Sequence, residues 1–294
     1  MLDVCTLSTS RLRIEVVPEL GAKMVSFCNP ATGREWMWRP SPTAPLFRNE
    51  PTDAFDISPL IGADECLPTI APCRWNGREL PDHGEVWARK WELDELTATR
   101  IRTSIRMQFL PLILERTISL AGNKALFEYV LTSISNQPER FLWAFHPLMP
   151  IEDIEEIELP AAIRSVQVAS TKGFPSNASQ WNWPEPMPGV RLDRIDFGSH
   201  IPGYAKLFLD FRQVPDGFAA VRRGRERLSF RFDPLKIPFL GLWITHGGWS
   251  GHTHLAIEPT NAPADSLCSA ASRHTVIQPH QQLHWSFCMV LEWS

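Results

Sequence analysis

The sequence predicts an all-β protein of two packed antiparallel sheets, and three observations support this prediction. Runs of alternating or β-branched residues recur almost throughout the chain, and no stretch of a dozen residues shows a convincing helical period of 3.6. The 26 prolines also limit the length of any helix. Because we find no internal repeat and no low-complexity tract, we expect one β-sandwich domain spanning residues 1–294.

The segment Thr99–Leu110 has the clearest strand pattern. Ile101 and Ile105 alternate with Arg102 and Arg106, which is the period of two expected for a strand with one face in water. Similar runs predict further strands at Arg11–Val17, Leu112–Leu120, Ala125–Ser135, Tyr204–Phe211, Arg227–Asp233, Phe239–Thr245 and Leu283–Trp293.

The segments between these runs predict turns and loops. The basic cluster Arg222–Arg227 lies between two short β-like runs and is predicted to be a polar hairpin turn. The proline-rich stretch Ser170–Asp193 is predicted to be a long loop, and Ala264–Arg273 could form a short helix.

The composition excludes several classes of protein. With 44% hydrophobic and 21% charged residues the chain can bury a sizeable core, and its net charge of −4 argues against nucleic acid as a partner. No apolar run approaches the ~18 residues of a membrane helix, and the N-terminus lacks a signal-peptide pattern. The six cysteines form no CxxC pair, so we expect reduced thiols. We therefore expect a cytoplasmic protein with no membrane partner, as a monomer or homodimer.

The stretch HTHLAIEPTNAPADSL (His252–Leu267) contains a candidate site. If it begins as a strand, His252, His254 and Glu258 share one face. The spacing H-x-H-x3-E resembles the first metal-binding motif of the cupins, whose imidazole and carboxylate ligands suit Fe, Mn, Zn or Ni. A second cupin motif is not evident, and the two histidines could instead lie in a turn exposed to water.

Two further histidines stand at stiff backbone positions with aromatic neighbours. His83 lies in the turn LPDHGEVW, and His146 ends the apolar run FLWAFHPLM, followed directly by a proline. Glu258 shares this arrangement, because a proline follows it as well. A stiff backbone restricts the rotamers of a side chain and can hold it ready for binding or catalysis.

Six segments in order resemble the aldose 1-epimerases, or galactose mutarotase-like proteins, over nearly the whole chain from about Leu12. The similarity is closest to a bacterial branch with a D-E-C-x-P-T-I-x-P-C segment, and it implies a large antiparallel β-sandwich of the type called a supersandwich. The segments are LRIEVVPELGAKMVSFCNPATGREWMW, GADECLPTIAPC, LPDHGEVWARKW, FHPLM, FLGLWIT with the following GGW, and LAIEPTNAPADSL.

The resemblance implies roles for three residues. The family's general base is a glutamate in a Glu-Pro segment near the C-terminus, which matches Glu258. Its general acid is a histidine at a strand end in mid-chain, which matches His146. A second histidine, in a His-Gly turn, binds the sugar ring and matches His83.

Other implied sugar-binding residues are placed less directly. The family has a sugar-binding aspartate between the second histidine and the glutamate, and we take Asp210 as the first candidate, followed by Asp193 and Asp196. An arginine is also expected near the site. The further candidates are Arg89 for that arginine, Asp64 and Glu65 of the DEC segment for the cleft, and Trp87, Trp183 and Trp243 for stacking on the sugar or for ordinary core packing.

The implied reaction is the interconversion of the α and β anomers of a hexose or modified hexose. It needs one group to accept the proton of the C1 hydroxyl and another to protonate the ring oxygen, so it requires no metal and no organic cofactor. Two alternatives remain open at this point. One is a non-catalytic carbohydrate-binding or regulatory domain on the same fold, and the other is a metal-dependent cupin-like enzyme.

Overall fold

Regular structure is almost entirely strand in the computed structural model, which describes residues 2–41, 43–58, 60–174, 178–272 and 275–293. The described strands are β1 (Cys5–Ser8), β2 (Arg13–Val17), β3 (Lys23–Cys28), β4 (Ala63–Cys66), β5 (Cys73–Trp75), β6 (Arg78–Leu80), β7 (Glu92–Leu96), β8 (Arg100–Arg106), β9 (Leu112–Ala121), β10 (Lys124–Ser133), β11 (Glu139–Arg140), β12 (Ala144–Met149), β13 (Ile154–Glu158), β14 (Ser165–Lys172), β15 (Gln180–Asn182), β16 (Gly203–Asp210), β17 (Gly217–Arg223), β18 (Glu226–Phe232), β19 (Phe239–Trp249), β20 (His252–Thr260), β21 (Val276–Ile277) and β22 (Gln282–Trp293). The described 3-10 helices are Phe55–Ile57, Leu192–Arg194 and Ala270–Ser272.

Two large sheets contain most of these strands, and their strands pair antiparallel. The ten-stranded sheet has the order β1-β2-β3-β4-β12-β20-β19-β16-β14-β15, and the eight-stranded sheet has the order β13-β17-β18-β22-β10-β9-β8-β7. The pairs β11-β21 and β5-β6 form two small ribbons. The predicted fold class, an all-β antiparallel sandwich, is confirmed.

The segments between the predicted strands differ in detail from the prediction. The stretch 170–193 is less of a loop than expected, because β14 continues to Lys172 and β15 pairs with the start of β14; residues 175–177 lie outside the described part. In the predicted helix 264–273 the described residues, 264–272, contain the single 3-10 turn Ala270–Ser272. The basic cluster forms a hairpin as predicted, with the turn between β17 and β18.

The eight-stranded sheet has one face in the core and one face toward water. Strand β9 shows this best, because buried residues alternate with half-buried ones along nearly its whole length. Ile101 and Ile105 of β8 are buried while Arg102 and Arg106 are exposed, which confirms the pattern read from the sequence.

The central strands of the ten-stranded sheet are buried on both faces. Every residue of β12 is buried, and so is every residue of β20 from His254 onward. Residues such as Phe145 and Ile257 point into the core between the two sheets. The opposite face lies under the loops that connect the strands. Since Glu258 and His146 alternate with these core residues, they point to this outer, loop-covered face.

Glu65 lies in the core between the sheets and therefore does not line a cleft. Its carboxylate has no exposed surface and accepts hydrogen bonds from Arg116 Nη1 at 3.0 Å, Tyr129 Oη at 2.7 Å and Trp143 Nε1 at 2.8 Å. Burial raises the pKa of Glu65, and the charge of Arg116 opposes that effect. Glu65 thus ties the ten-stranded sheet to β9 and β10 of the other sheet.

None of the described helices is long and apolar enough to cross a membrane. All six cysteines are free, as the sequence predicted.

Replacing Glu65 with alanine should destabilise the protein strongly. The change leaves the Arg116 guanidinium buried without its ion-pair partner, and breaking a buried pair in this way costs about 3–5 kcal/mol. The free energy of unfolding from urea titration measures the effect. Glu95→Ala is the matched control, because it breaks the half-exposed Glu95–Arg100 pair and should change that free energy by no more than about 1 kcal/mol. Equal losses in the two variants would contradict this account of the core.

Candidate active site

Glu258 and His146 face each other across neighbouring strands. Pairing of Ala144 with Thr260 and of Leu148 with Ala256 sets the register of β12 against β20. This register puts His146 opposite Glu258. The shortest contact between the two side chains is 3.8 Å, from His146 Nδ1 to Glu258 Oε1.

A proline follows each of these two residues. Pro147 and Pro259 have no N–H group, so neither can donate to the hydrogen-bond ladder between β12 and β20. Prolines are rare in central strands for this reason. Two prolines beside one cross-strand pair therefore interrupt the backbone hydrogen bonds between the strands at the position of His146 and Glu258.

The Glu258 carboxylate fits into space left by a glycine. Gly241 of β19 is the cross-strand partner of Glu258 on its other side. A Cβ atom at position 241 would lie 2.9 Å from Glu258 Oε2 and 3.2 Å from its Cβ atom. Any larger residue at 241 would therefore push the carboxylate out of place.

Lys206 of β16 neutralises the buried carboxylate. Its ammonium nitrogen lies 2.5 Å from Glu258 Oε2 and 3.6 Å from Asp265 Oδ1. Glu258 has no exposed surface, and Lys206 is 5% exposed. Burial of a charge without a partner would be strongly unfavourable, so this ion pair is what allows a glutamate to occupy the sheet.

The pKa shifts follow from burial and from this pairing. Burial raises the pKa of Glu258, and the nearby Lys206 charge counteracts part of that rise. For Lys206, burial alone would lower the pKa, but the carboxylates of Glu258 and Asp265 outweigh it and the pKa is raised. The lysine therefore stays charged at neutral pH.

His146 is kept uncharged at neutral pH. Burial is the largest cause, and the neighbouring His83 and Lys206 add to it, so that the pKa of His146 lies well below its usual value. Its Nδ1 atom is buried and has no hydrogen-bond partner among the described residues of the chain.

His83 lies beside His146 in a strained turn. Its φ angle is +59°, a left-handed conformation that is uncommon outside glycine, and its backbone N–H donates to Ile70 O. The imidazole stacks on the ring of Phe55 with 3.5 Å between centroids, and its centroid is 5.4 Å from that of His146. His83 Nδ1 lies 3.0 Å from Asp82 Oδ1, which fixes the ring.

Aromatic side chains line the site opposite His83 and His146. Trp243 Nε1 donates to His254 Nε2 at 3.0 Å, and the Trp243 ring contacts Tyr204 and Trp249 at centroid distances of 5.0 and 6.0 Å. Burial lowers the pKa of His254 to about 3, with a smaller effect from His252. His254 is therefore a neutral acceptor for the indole N–H.

These side chains surround a cavity of about 250 Å³. That volume is near the lower end of small-molecule sites, on the order of 300 Å³, and suits a ligand of monosaccharide size. The lining residues include His83, His146, Trp243 and Lys206, and also Phe55, Ile70, Ala71, Pro72, Asp82, Leu148, Ser170, Tyr204, Trp249, His254 and Asp265. Glu258 lies behind this lining, covered by His146 and Lys206.

Four buried polar atoms at the cavity have no hydrogen-bond partner among the described residues. They are Glu258 Oε1, His146 Nδ1, Asp265 Oδ1 and His254 Nδ1. Buried polar atoms in proteins are nearly always satisfied, so a cluster of four around one cavity is the pattern expected of a site that receives its partners from a polar ligand.

Several residues predicted from the sequence lie outside the cavity. Asp210 is on the same face of β16 as Lys206 but four residues further along, where it forms a two-pronged ion pair with Arg212. Asp193 pairs with Arg191, and Asp196 accepts the Gly198 N–H. None of the three aspartates lines the site.

The arginine and the remaining acidic candidate also have structural partners. Arg89 pairs with Glu85 at 2.7 Å at the edge of the structure. Asp64 lies opposite His146 on β4, yet it pairs with the buried Lys23 at 2.5 Å and does not line the cavity. Of the three tryptophans, Trp87 is buried and Trp183 packs on the main core, whereas Trp243 lines the cavity.

Lys206 and Asp265 are the residues that sequence reasoning missed. Each had a signal in the sequence. Lys206 is the one charged residue inside the apolar stretch YAKLFL, and Asp265 follows Glu258 closely, two positions after Pro263. Neither signal indicates that the two side chains meet, because that depends on how β16 and the loop lie across β20.

The three residues of the cupin-like alternative do not converge. His254 accepts a hydrogen bond from Trp243, and Glu258 pairs with Lys206. Among the described residues, no group of three or more histidine, cysteine, aspartate or glutamate side chains is placed to hold a metal ion.

The buried neutral His254 should make folding stability depend on pH. Because its folded pKa is about 3 and its unfolded pKa is near 6.5, its contribution is complete above pH 6.5 and is lost as the pH falls toward 3. Between pH 7 and pH 5 this amounts to roughly 2 kcal/mol. Urea unfolding of His254→Gln should show a correspondingly weaker pH dependence than wild type, while the exposed-site control His284→Gln should not. A variant as pH-dependent as wild type would contradict the assignment.

No protein-family model and no curated protein sequence matches the chain. Solved structures do match in fold. The Slr1438 protein of Synechocystis sp. PCC 6803 is 14% identical, with a TM-score of 0.75, and the match covers 100% of this chain and 97% of that one. A galactose mutarotase related enzyme of Lactobacillus acidophilus is 15% identical, with a TM-score of 0.72 and coverage of 99% and 97%.

A third match is a galactose mutarotase-like protein of Lactobacillus casei. It is 14% identical, with a TM-score of 0.65, and the match covers 99% of this chain and 100% of that one. At these identities the similarity concerns the fold. The chain therefore has the galactose mutarotase-like β-sandwich fold that its sequence motifs predicted.

Proposed function

We propose that the protein is an aldose 1-epimerase that interconverts the α and β anomers of a hexose. The observation that carries the proposal is the Glu258–His146 pair. A carboxylate oxygen and an imidazole nitrogen, both buried and without a hydrogen-bond partner in the described part of the chain, face each other at 3.8 Å beside a cavity of monosaccharide size. The galactose mutarotase-like fold supports this function by analogy only.

The reaction requires two proton transfers that these groups can supply. Ring opening uses the form of the pair that carries a proton on His146, which is the minor form at neutral pH because burial lowers the pKa of that imidazole. In this form the Glu258 carboxylate accepts the proton of the C1 hydroxyl while His146 delivers its proton to the ring oxygen, and the C1–O5 bond breaks to give the open-chain aldehyde. After rotation about C1–C2, the reverse transfers close the ring on the other face. All protons return to their starting groups, so no cofactor is needed.

Lys206 sets the charge state of the base. Without it, a fully buried glutamate would be strongly biased toward the neutral acid, which cannot accept a proton. With the ammonium 2.5 Å away, part of that bias is removed. The pKa of Glu258 nevertheless stays above its usual value, which makes the carboxylate a stronger base than an exposed glutamate.

The pKa values of Glu258 and His146 are shifted in opposite directions, and each shift favours the uncharged form of its group. Burial raises the pKa of the carboxyl and lowers that of the imidazole. The form with charged glutamate and charged histidine is the one that opens the ring, and the form with both groups neutral is the one that closes it. The two apparent pKa values of a pH–rate profile belong to the pair and not to either residue.

The direct test follows anomer exchange with Glu258 changed. Fresh α-D-glucose or α-D-galactose is monitored by polarimetry, or at equilibrium by NMR exchange between the anomeric protons. The wild type should exceed the spontaneous rate, and Glu258→Gln should lose roughly 10²–10⁴-fold of kcat, the usual contribution of an acid–base group. Glu158→Gln is the control: it makes the same change at an exposed ion pair with Arg222 and should keep full activity.

Two other results would indicate a different function for the protein. A wild-type protein that binds hexoses without faster anomer exchange would be a carbohydrate-binding domain. Metal present in stoichiometric amount, and lost together with activity on chelation, would favour a metal-dependent enzyme.

Gly241→Ala should reduce kcat without unfolding the protein. The new methyl group would lie 2.9 Å from Glu258 Oε2, so the carboxylate must leave its present position against His146 and Lys206. Misplacement of a reacting group by about 1 Å can cost on the order of 100-fold in rate. Steady-state kinetics with a thermal melt as the folding control measure this, and an unchanged kcat would show that the position of Glu258 is not critical.

A further inference from the structure

We infer that the cavity takes an uncharged aldose and discriminates against sugars bearing phosphate, sulfonate or carboxylate groups, with Asp265 as the residue that sets this preference. The inference rests on the proposed function, because it assumes that the ligand is an aldose. It goes further by assigning a substrate class and a specificity-determining residue, neither of which follows from the fold.

The charges facing the cavity are predominantly negative. Asp82 and Asp265 are in the lining and Glu258 lies directly behind it, whereas Lys206 supplies an ammonium group. Among the described residues that line the cavity, Lys206 is the only lysine and none is an arginine. Since burial keeps His146 and His254 neutral at pH 7, these two histidines add no positive charge.

Lys206 is not available as an anion-binding group. Its ammonium lies within 2.5 Å of one carboxylate and within 3.6 Å of a second. A phosphate or sulfonate placed beside it would also stand next to Glu258 and Asp265. Two like unit charges about 6 Å apart, at an effective dielectric near 20, disfavour association roughly 100-fold before screening.

Asp265 is placed to accept a hydrogen bond from a ligand hydroxyl. Its Oδ1 atom is buried without a hydrogen-bond partner among the described residues, because Lys206 at 3.6 Å lies beyond hydrogen-bond distance. Its backbone oxygen is fixed by the N–H groups of Ile70 at 2.8 Å and Ala71 at 2.7 Å. The loop therefore holds this carboxylate at the cavity.

The chemistry of the unpartnered oxygens selects the ligand. An ionised carboxylate can only accept hydrogen bonds, so Asp265 Oδ1 and Glu258 Oε1 both need donors. Sugar hydroxyls are donors. A fully ionised sulfonate or carboxylate has none to offer, and a phosphate ester at neutral pH carries at most one. An uncharged polyol satisfies both carboxylates, and an anionic substituent beside them satisfies neither.

The test compares binding of a neutral and an anionic sugar analogue that cannot change anomer. The neutral probes are 1,5-anhydro-D-glucitol and 1,5-anhydro-D-galactitol, and the anionic probe is 1,5-anhydro-D-glucitol 6-phosphate. Isothermal titration calorimetry is run on the wild type, Asp265→Asn and Asp210→Asn. The last variant is the matched control, because it makes the same substitution and removes the same charge at an ion pair outside the cavity.

We expect the wild type to bind a neutral probe at least tenfold more tightly than the phosphate. Asp265→Asn should reduce this ratio at least fivefold, by weakening neutral binding and relieving repulsion of the anion, while Asp210→Asn leaves the ratio unchanged. Asp265→Ser provides the same comparison if the asparagine variant folds poorly. Higher salt should narrow the ratio for the wild type as screening increases.

Three outcomes would overturn the inference: equal or tighter binding of the phosphate by the wild type, equal effects of the Asp265 and Asp210 variants, or no binding of either neutral probe. Because the probes lack an anomeric hydroxyl, these outcomes do not depend on epimerase activity. A protein that prefers the neutral probes yet fails to accelerate anomer exchange would refute the proposed function and leave the ligand class standing.

Discussion

The ion pair between Glu258 and Lys206 is the interaction on which the site depends. A glutamate without any exposed surface in the middle of a sheet is unfavourable unless a partner neutralises it. Three features meet this requirement: Lys206 stands beside Oε2, Gly241 leaves room for the carboxylate, and Asp265 adds to the effect of Glu258 in keeping the lysine charged. The second oxygen, Oε1, faces His146 and has no hydrogen-bond partner among the residues that the structure describes.

The same constraint explains the architecture around the site. The central strands of the ten-stranded sheet are buried on both faces, and the face away from the second sheet is covered by loops that carry His83 and Asp265. Covering this face removes water and strengthens electrostatic interactions. The loops also cover a cavity whose lining includes the carboxylates of Asp82 and Asp265 and the ammonium group of Lys206.

The sequence predicted the fold because the strands appear in it as local patterns. Strands such as β9 and β10 have alternation or β-branched runs that set their bounds within a few residues. The order of the sequence motifs indicated His83, His146 and Glu258 as candidates, and each of these residues stands next to a glycine or a proline. The structure brings all three together, with Glu258 behind the lining rather than in it.

Other residues could not be placed from the sequence because their positions depend on long-range packing. Asp210 lies on the same face of β16 as Lys206 but too far along the strand to line the cavity. The alternation of side chains along a strand cannot distinguish these two residues, because it places both on one face. Glu65 directly follows Asp64 in β4, so its side chain lies on the opposite face of the sheet and points into the core. Arg89 lies in the expected segment, but Glu85, which also accepts two backbone N–H groups, holds it outside the cavity.

The most direct test of the central claim is a crystal structure of Glu258→Gln soaked with a hexose. The account predicts a pyranose in the cavity, with its C1 hydroxyl within hydrogen-bond distance of the amide at position 258 and its ring oxygen within hydrogen-bond distance of His146. A sugar bound elsewhere, or one whose anomeric carbon points away from His146 in this cavity, would contradict it.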